Sequence, residues 1–129
     1  MKITLTSIIV DNQEKALKFY TEVLGFIKKM EIPMGEFRWL TLVSPEGGET
    51  QISLEPNANP AAKTFQEALF KQGIPLTAFE VDDIESEFQR LSSLNVAFTK
   101  KPTQAGPVKI AVFADTCGNL IQIYQPPGA

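Results

Sequence analysis

Hydrophobic and polar positions along the chain follow one pattern twice. Ile3 to Val10 is an extended, largely apolar run that stops at Asp11-Asn12. Behind it, Ala16, Leu17, Tyr20, Val23 and Leu24 fall at helical spacing, with Gly25 placed to close the helix. Leu76 to Val81 is a second extended run, followed by Asp82-Asp83 and by Ile84, Phe88, Leu91 and Leu94 at i, i+4, i+7 and i+10. Asp11 or Asn12, and Asp82 or Asp83, suit helix N-caps, because their side-chain oxygens accept from otherwise unpaired N–H groups.

The offset between the copies is 71 residues, from Val10-Asp11-Asn12 to Val81-Asp82-Asp83. It carries the strand-like segment 37–43 onto 108–114, each rich in β-branched or aromatic residues. Each segment ends in a turn, Ser44-Pro45-Glu46-Gly47-Gly48 or Asp115-Thr116-Cys117-Gly118-Asn119, and a last strand follows, 51–55 or 120–125. Shorter extended pieces are expected near Phe26 to Met30 and at Val96 to Thr99, with Pro102 to Pro107 as loop. Each half therefore reads β-α-β-β-β. Pro56 to Pro60 is a linker, and an added helix runs from it to about Gln72, with Phe65, Ala68 and Leu69 on one face. The fold class is α+β: module one at 1–56, a linker helix within 57–75, and module two at 76–129. Two tandem modules are expected to form a curved mixed sheet, helices on its outer face, with an open cleft.

Strand alternation then assigns side chains to faces. Ile8, Val10, Phe79 and Val81 pack on the helices. Leu5, Ser7 and Ile9 share the open face with Leu76, Ala78 and Glu80. From the last strands, Gln51, Ser53 and Glu55, and Leu120, Gln122 and Tyr124, join them. Arg38 and Trp39 lie on opposite sides of one strand, so only one enters the cleft, and the pattern leaves open which.

Composition narrows the chemistry. The 129 residues are 43% apolar and 21% charged, as in ordinary globular chains, with a net charge of −3 that offers no footprint for nucleic acid. No apolar run approaches the ~20 residues of a membrane span. The single cysteine fits a reducing compartment, and the opening apolar run lacks the flanks of a secretory signal, so a cytoplasmic location is expected. There is no histidine. Catalytic triads, Cys-His pairs and imidazole metal sites are thereby excluded, and proton transfer would fall to Asp, Glu, Lys, Tyr or Cys.

Several segments together resemble the vicinal oxygen chelate superfamily, which includes glyoxalase I, extradiol dioxygenases and bleomycin-resistance-type binding proteins. They are Val10-Asp11-Asn12, Phe19-Tyr20 and Val23-Leu24-Gly25-Phe26, the duplicate at Val81-Asp82-Asp83, and Asp115-Thr116-Cys117-Gly118-Asn119 before an apolar strand. The resemblance spans almost the whole chain and implies paired βαβββ modules, a homodimer, and a small-molecule site on the sheet. It also implies where the metal enzymes of the superfamily carry His and Glu ligands: the first and last strands of each half. Those positions fall on Leu5, Leu76, Ser53 and Gln122, a set unlike that of the metal enzymes.

The function expected is binding of a small, partly apolar molecule without metal or other cofactor. The candidate contacts are Leu5, Ser7, Ser53, Glu55, Leu76, Glu80, Gln122 and Tyr124, with Arg38 or Trp39. The alternative is a metal-independent lyase or isomerase, with Glu55 or Glu80 as base and Tyr124 or Arg38 as electrophilic partner. A structural or regulatory partner protein, and a divalent-metal enzyme with Glu55, Glu80 and Gln122 as unconventional ligands, are the remaining readings.

Overall fold

A computed structural model describes residues 1–128. The first module runs β1 (Leu5–Val10), α1 (Gln13–Lys18), β2 (Ile27–Met34), β3 (Phe37–Val43) and β4 (Gln51–Pro56). After α2 (Pro60–Gln72), the order repeats as β5 (Thr77–Glu80), α3 (Ile84–Ser93), β6 (Phe98–Ala105), β7 (Val108–Ala114) and β8 (Leu120–Gln125). Each module forms a four-stranded mixed sheet, ordered β1-β4-β3-β2 or β5-β8-β7-β6, with its first and last strands paired in parallel. The chain divides into two compact units inside α2, between Gln66 and Glu67.

The helix starts follow from the expected caps. Asn12 Oδ1 accepts from the Lys15 N–H at 2.8 Å, and Asp83 Oδ1 accepts from the Ser86 N–H at 3.1 Å. The Ser86 N–H, and next the Ser86 hydroxyl donating at 3.1 Å, hold the Asp83 carboxyl below its usual value of 3.8. Past Lys18, α1 widens into a π-helical turn over Phe19–Val23, which turns Phe19 and Tyr20 into the core. Gly25, at φ 93°, ends it in a backbone conformation that side chains resist.

In module one, α1 covers Ile8, Val10, Leu40, Leu42, Ile52 and Leu54, all buried. In module two, Phe88 of α3 meets Phe98 edge-on at 4.8 Å, and Phe98 meets Phe113 at 5.5 Å, beside buried Ile121 and Ile123. The Asp115 turn is closed from within. Its buried carboxylate accepts from the N–H groups of Cys117 and Asn119 and from the Asn119 amide, at 2.8–2.9 Å.

Three expectations need correction. The stretch expected as loop from Pro102 continues β6 as far as Ala105, and β2 reaches Met34 rather than Met30. Both are edge strands, where a proline's missing N–H leaves no ladder bond unmade, and β6 absorbs Pro102 in a register shift between Lys100 and Thr103. The face of α2 expected to be apolar is turned outward at Phe65, which is half exposed. The buried residue of α2 is instead Gln66, whose amide donates to the Ile9 carbonyl at 2.9 Å and accepts from Asn57.

The sheets differ in one respect. The β7–β8 ladder is continuous from Ala114 and Leu120 to Lys109 and Gln125. The β3–β4 ladder stops after the pair Thr41 and Ser53. Beyond it the buried Gln13 side chain spans the two strands: its amide donates to the carbonyls of Arg38 (2.8 Å) and Leu54 (2.7 Å) and accepts from the Arg38 N–H (3.1 Å). Without that amide, three backbone groups lose their partners. Gln13→Ala is expected to lower stability by about 3 kcal/mol in urea unfolding, against about 1 kcal/mol for the exposed cap change Asn12→Ala. Equal effects from the two substitutions would show that Gln13 does not hold the strands.

Candidate functional site

Register assigns the open faces pair by pair, since residues directly opposite one another in a sheet project to the same side. In module one, β1 and β4 pair Leu5 with Gln51, Ser7 with Ser53 and Ile9 with Glu55, and β3 sets Thr41 beside Ser53. All lie on the face away from α1. Trp39 shares that face, and β2 adds Met30, Ile32 and Met34 through their pairing with Thr41, Trp39 and Phe37.

The open choice between Arg38 and Trp39 is thereby resolved. Arg38 is on the helix side, where its guanidinium meets Glu14 of α1 at 3.2 Å and Glu31 of β2 at 2.5 Å. Lys28, at 2.7 Å, and then Arg38 hold the Glu31 carboxyl below its ordinary value of 4.5. Arg38 is thus engaged on the side away from the candidate face, and Trp39 takes the place on it.

Three of the remaining residues form a chain of hydrogen bonds. Ser7 Oγ lies 2.9 Å from Ser53 Oγ, and Ser53 Oγ donates to Glu55 Oε1 at 3.0 Å. Ser53 is buried, Glu55 half-buried and Ser7 exposed, so the chain runs along the face with its middle member covered. Beside it, Thr41 Oγ1 is fully buried and has no hydrogen-bond partner. Unpaired buried hydroxyls are rare in native proteins because each one costs stability. Leu5 is 43% exposed at the end of β1.

In module two, Ala78 pairs with Gln122 and Glu80 with Tyr124, and β7 adds Val112 and Ile110 on the same side. Gln122 and Tyr124 are half-buried and Glu80 is exposed. The Gln122 amide makes no hydrogen bond within the described residues, so it is not a core amide satisfied by its neighbours. Leu76 precedes β5 and is 70% exposed.

Two residues that matter here were not singled out by pattern, Gln13 and Thr41. Both left a signal, because each is polar where the 71-residue offset places an apolar residue, Ile84 and Val112.

The metal positions of the superfamily can be tested against these side chains. Ser53 and Gln122 hold equivalent register in the two sheets, each opposite a β1 or β5 residue and a β3 or β7 residue. Leu5 and Leu76 supply only hydrocarbon, Ser53 a hydroxyl committed to Glu55, and Gln122 a neutral amide. That set does not fit a divalent ion, which takes carboxylate, imidazole or thiolate donors. Among the described residues no three His, Cys, Asp or Glu side chains are grouped to hold one.

The two βαβββ modules and their family motifs define a member of a duplicated-module superfamily, and comparison with known proteins agrees. Residues 2–123 match the Glyoxalase/Bleomycin resistance protein/Dioxygenase superfamily, and the chain belongs to it. It is 58% identical to the protein YurT of Bacillus subtilis (strain 168) over 126 residues, which is 97% of this chain and 99% of that one. Among solved structures, UcmS2 is 27% identical with a TM-score of 0.83, over 96% of this chain and 97% of that one. TnmS3, an antibiotic binding protein from Streptomyces sp. CB03234, is 27% identical with a TM-score of 0.75, over 98% and 96%.

The unpartnered hydroxyl gives a direct test of the module-one face. Leaving a buried hydroxyl unpaired costs about 1–3 kcal/mol, and valine has nearly its shape. Thr41→Val is therefore expected to raise stability by about 1 kcal/mol, seen as a melting temperature about 4 °C higher. A fall in melting temperature would mean that Thr41 is satisfied in the folded protein.

Proposed function

We propose that this protein binds a small, partly apolar organic molecule on the sheet face away from α1, without a metal ion. The carrying observation is the composition of that face: a hydroxyl chain ending on Glu55, set beside Trp39 and the unpartnered Thr41. Apolar surface with a few oriented polar groups is the make-up of ligand sites. Similarity to an antibiotic binding protein supports the same reading. Leu5, at the start of β1, is proposed as a further contact on that face, and Glu80, Gln122 and Tyr124, with Leu76 before β5, as candidate contacts on the open face of module two. The donor set at the four superfamily metal positions supports metal independence, and the isolated cysteine supports a cytoplasmic setting. No helix among the described residues is long and apolar enough to cross a membrane.

The enzyme reading has less support. Glu55 and Glu80 are the available carboxylates: Glu55 accepts from the Ser53 hydroxyl, but that serine is buried, and Glu80 has no hydrogen-bonded nucleophile among the described residues.

Homodimer formation, implied by the superfamily, is proposed with β2 in the contact. Its open face carries Met30, Ile32 and Met34 at 38–62% exposure, an apolar row that water covers poorly. Light scattering should give twice the 14.3 kDa chain mass, and the double change Ile32→Lys with Met34→Lys should return it to the single value. A wild-type mass of one chain would overturn the dimer.

The binding reading is tested by melting the protein against a panel of amphipathic natural products and divalent metals, with Trp39 emission as second readout. A ligand at 100 times its Kd adds about 2.7 kcal/mol, very roughly 10 °C here. An organic compound should give that shift and the metals none. Stoichiometric metal uptake would overturn metal independence, and silence from every organic compound would remove the binding reading.

A further inference from the structure

The hydrogen-bond chain on the module-one face has a direction, and the direction selects a ligand. An ionised carboxylate only accepts, so the single proton of Ser53 Oγ is committed to Glu55. In the 2.9 Å contact with Ser7, Ser53 must then be the acceptor and Ser7 the donor. Both hydroxyl protons are used inside the chain. What Ser7 and Glu55 leave for a bound molecule is lone pairs alone.

Charge points the same way. Among the residues that cross-strand pairing assigns to this face, Glu55 is the single charged side chain, and it forms no ion pair within the described residues. The nearest candidate in sequence pattern, Arg38, is on the opposite side with Glu14 and Glu31. The backbone opens at the same place. The β3–β4 ladder ends at Thr41 and Ser53, Gln13 spans the strands beyond, and Trp39 and Glu55 stand on the two diverging arms. At the base of that fork is Thr41 Oγ1, buried and unpartnered, which an incoming N–H would satisfy.

We propose that the fork takes a protonated amine carried on an apolar body. Glu55 and Ser7 accept from the ammonium group, and the body lies against Trp39 and Ile9. An ammonium is donor-only, so it complements the lone pairs that Ser7 and Glu55 present, and the tryptophan ring adds attraction for a cation near its face. Carboxylates are repelled, and a neutral alcohol brings one O–H donor but no charge. This inference rests on the binding reading above and specifies the ligand's chemistry.

Trp39 is the chain's one tryptophan, so its emission reports on the fork without labelling. Full-length protein is titrated with 2-phenylethylamine, 2-phenylethanol and 3-phenylpropanoate at neutral pH and low salt. Glu55→Gln and Thr41→Val variants are run in parallel, and their folding is checked by melting. Glu55→Gln keeps the acceptor that Ser53 needs and removes only the charge. The amine is expected to bind at least tenfold more tightly than the alcohol, and the carboxylate not to bind. Glu55→Gln should bring amine and alcohol level, and Thr41→Val should weaken the amine while leaving Glu55 in place.

Equal binding of amine and alcohol, or an amine preference that survives Glu55→Gln, overturns the amine assignment and leaves small-molecule binding standing. Silence from all three probes also overturns it. Silence from the wider natural-product panel as well would remove the binding reading with it.

Discussion

The insertion of one side-chain amide between two strands shapes the first module of this protein. Gln13 sits at the first helical position of α1 and reaches the backbone of both β3 and β4. Its amide can do this because it carries donors and an acceptor on one planar group, matching the backbone groups the parted strands expose. At the equivalent place in module two stands Ile84, which packs into the core while its N–H is taken by the Gln125 side chain at 2.9 Å. That sheet stays zipped. One duplicated fold therefore holds a continuous sheet and a forked one, and Ser7, Thr41, Ser53 and Glu55 of the forked sheet face away from its helix.

The same asymmetry runs through the open faces. Where module one carries Ser7, Trp39 and Thr41, the offset puts Ala78, Ile110 and Val112. Module two has traded the hydroxyls for apolar side chains and keeps Glu80, Gln122 and Tyr124 as its polar positions. Duplicated modules begin with equivalent sites. Here one face carries an oriented hydrogen-bond chain and an unsatisfied hydroxyl, the other a smoother surface. Burying an unpaired hydroxyl is destabilising, and such strain concentrates where function needs it.

Membership of the superfamily constrains function less than it constrains fold. The resemblance implies four strand positions where the metal enzymes of the superfamily bind an ion, and in this chain those correspond to Leu5, Leu76, Ser53 and Gln122. Ser53 is the centre of a hydrogen-bond chain that ends on Glu55. A hydroxyl chain ending on a carboxylate has a fixed direction, which supports recognition by hydrogen bonding in place of recognition through a cation.

Sequence alone determined the repeat, the βαβββ order of each half, the caps within one residue and the alternation that separates helix-facing from open-facing strand positions. These are local or periodic properties, written in spacing and in residue type. The lengths of β2 and β6 were not legible, because Pro33 and Pro102 look like strand breakers until their strands are known to be edges. The side taken by Trp39 needed the pairing of β2 with β3 and the ion pairs that commit Arg38 to α1. The roles of Gln13 and Thr41 needed cross-strand register, since an amide or hydroxyl in an apolar pattern says nothing of its partners. Only the folded chain decides whether such a group is satisfied, as Gln13 is three times over, or left open, as Thr41 is. Hydrogen bonding is directional and short-ranged, so it depends on three-dimensional neighbours that linear spacing does not name.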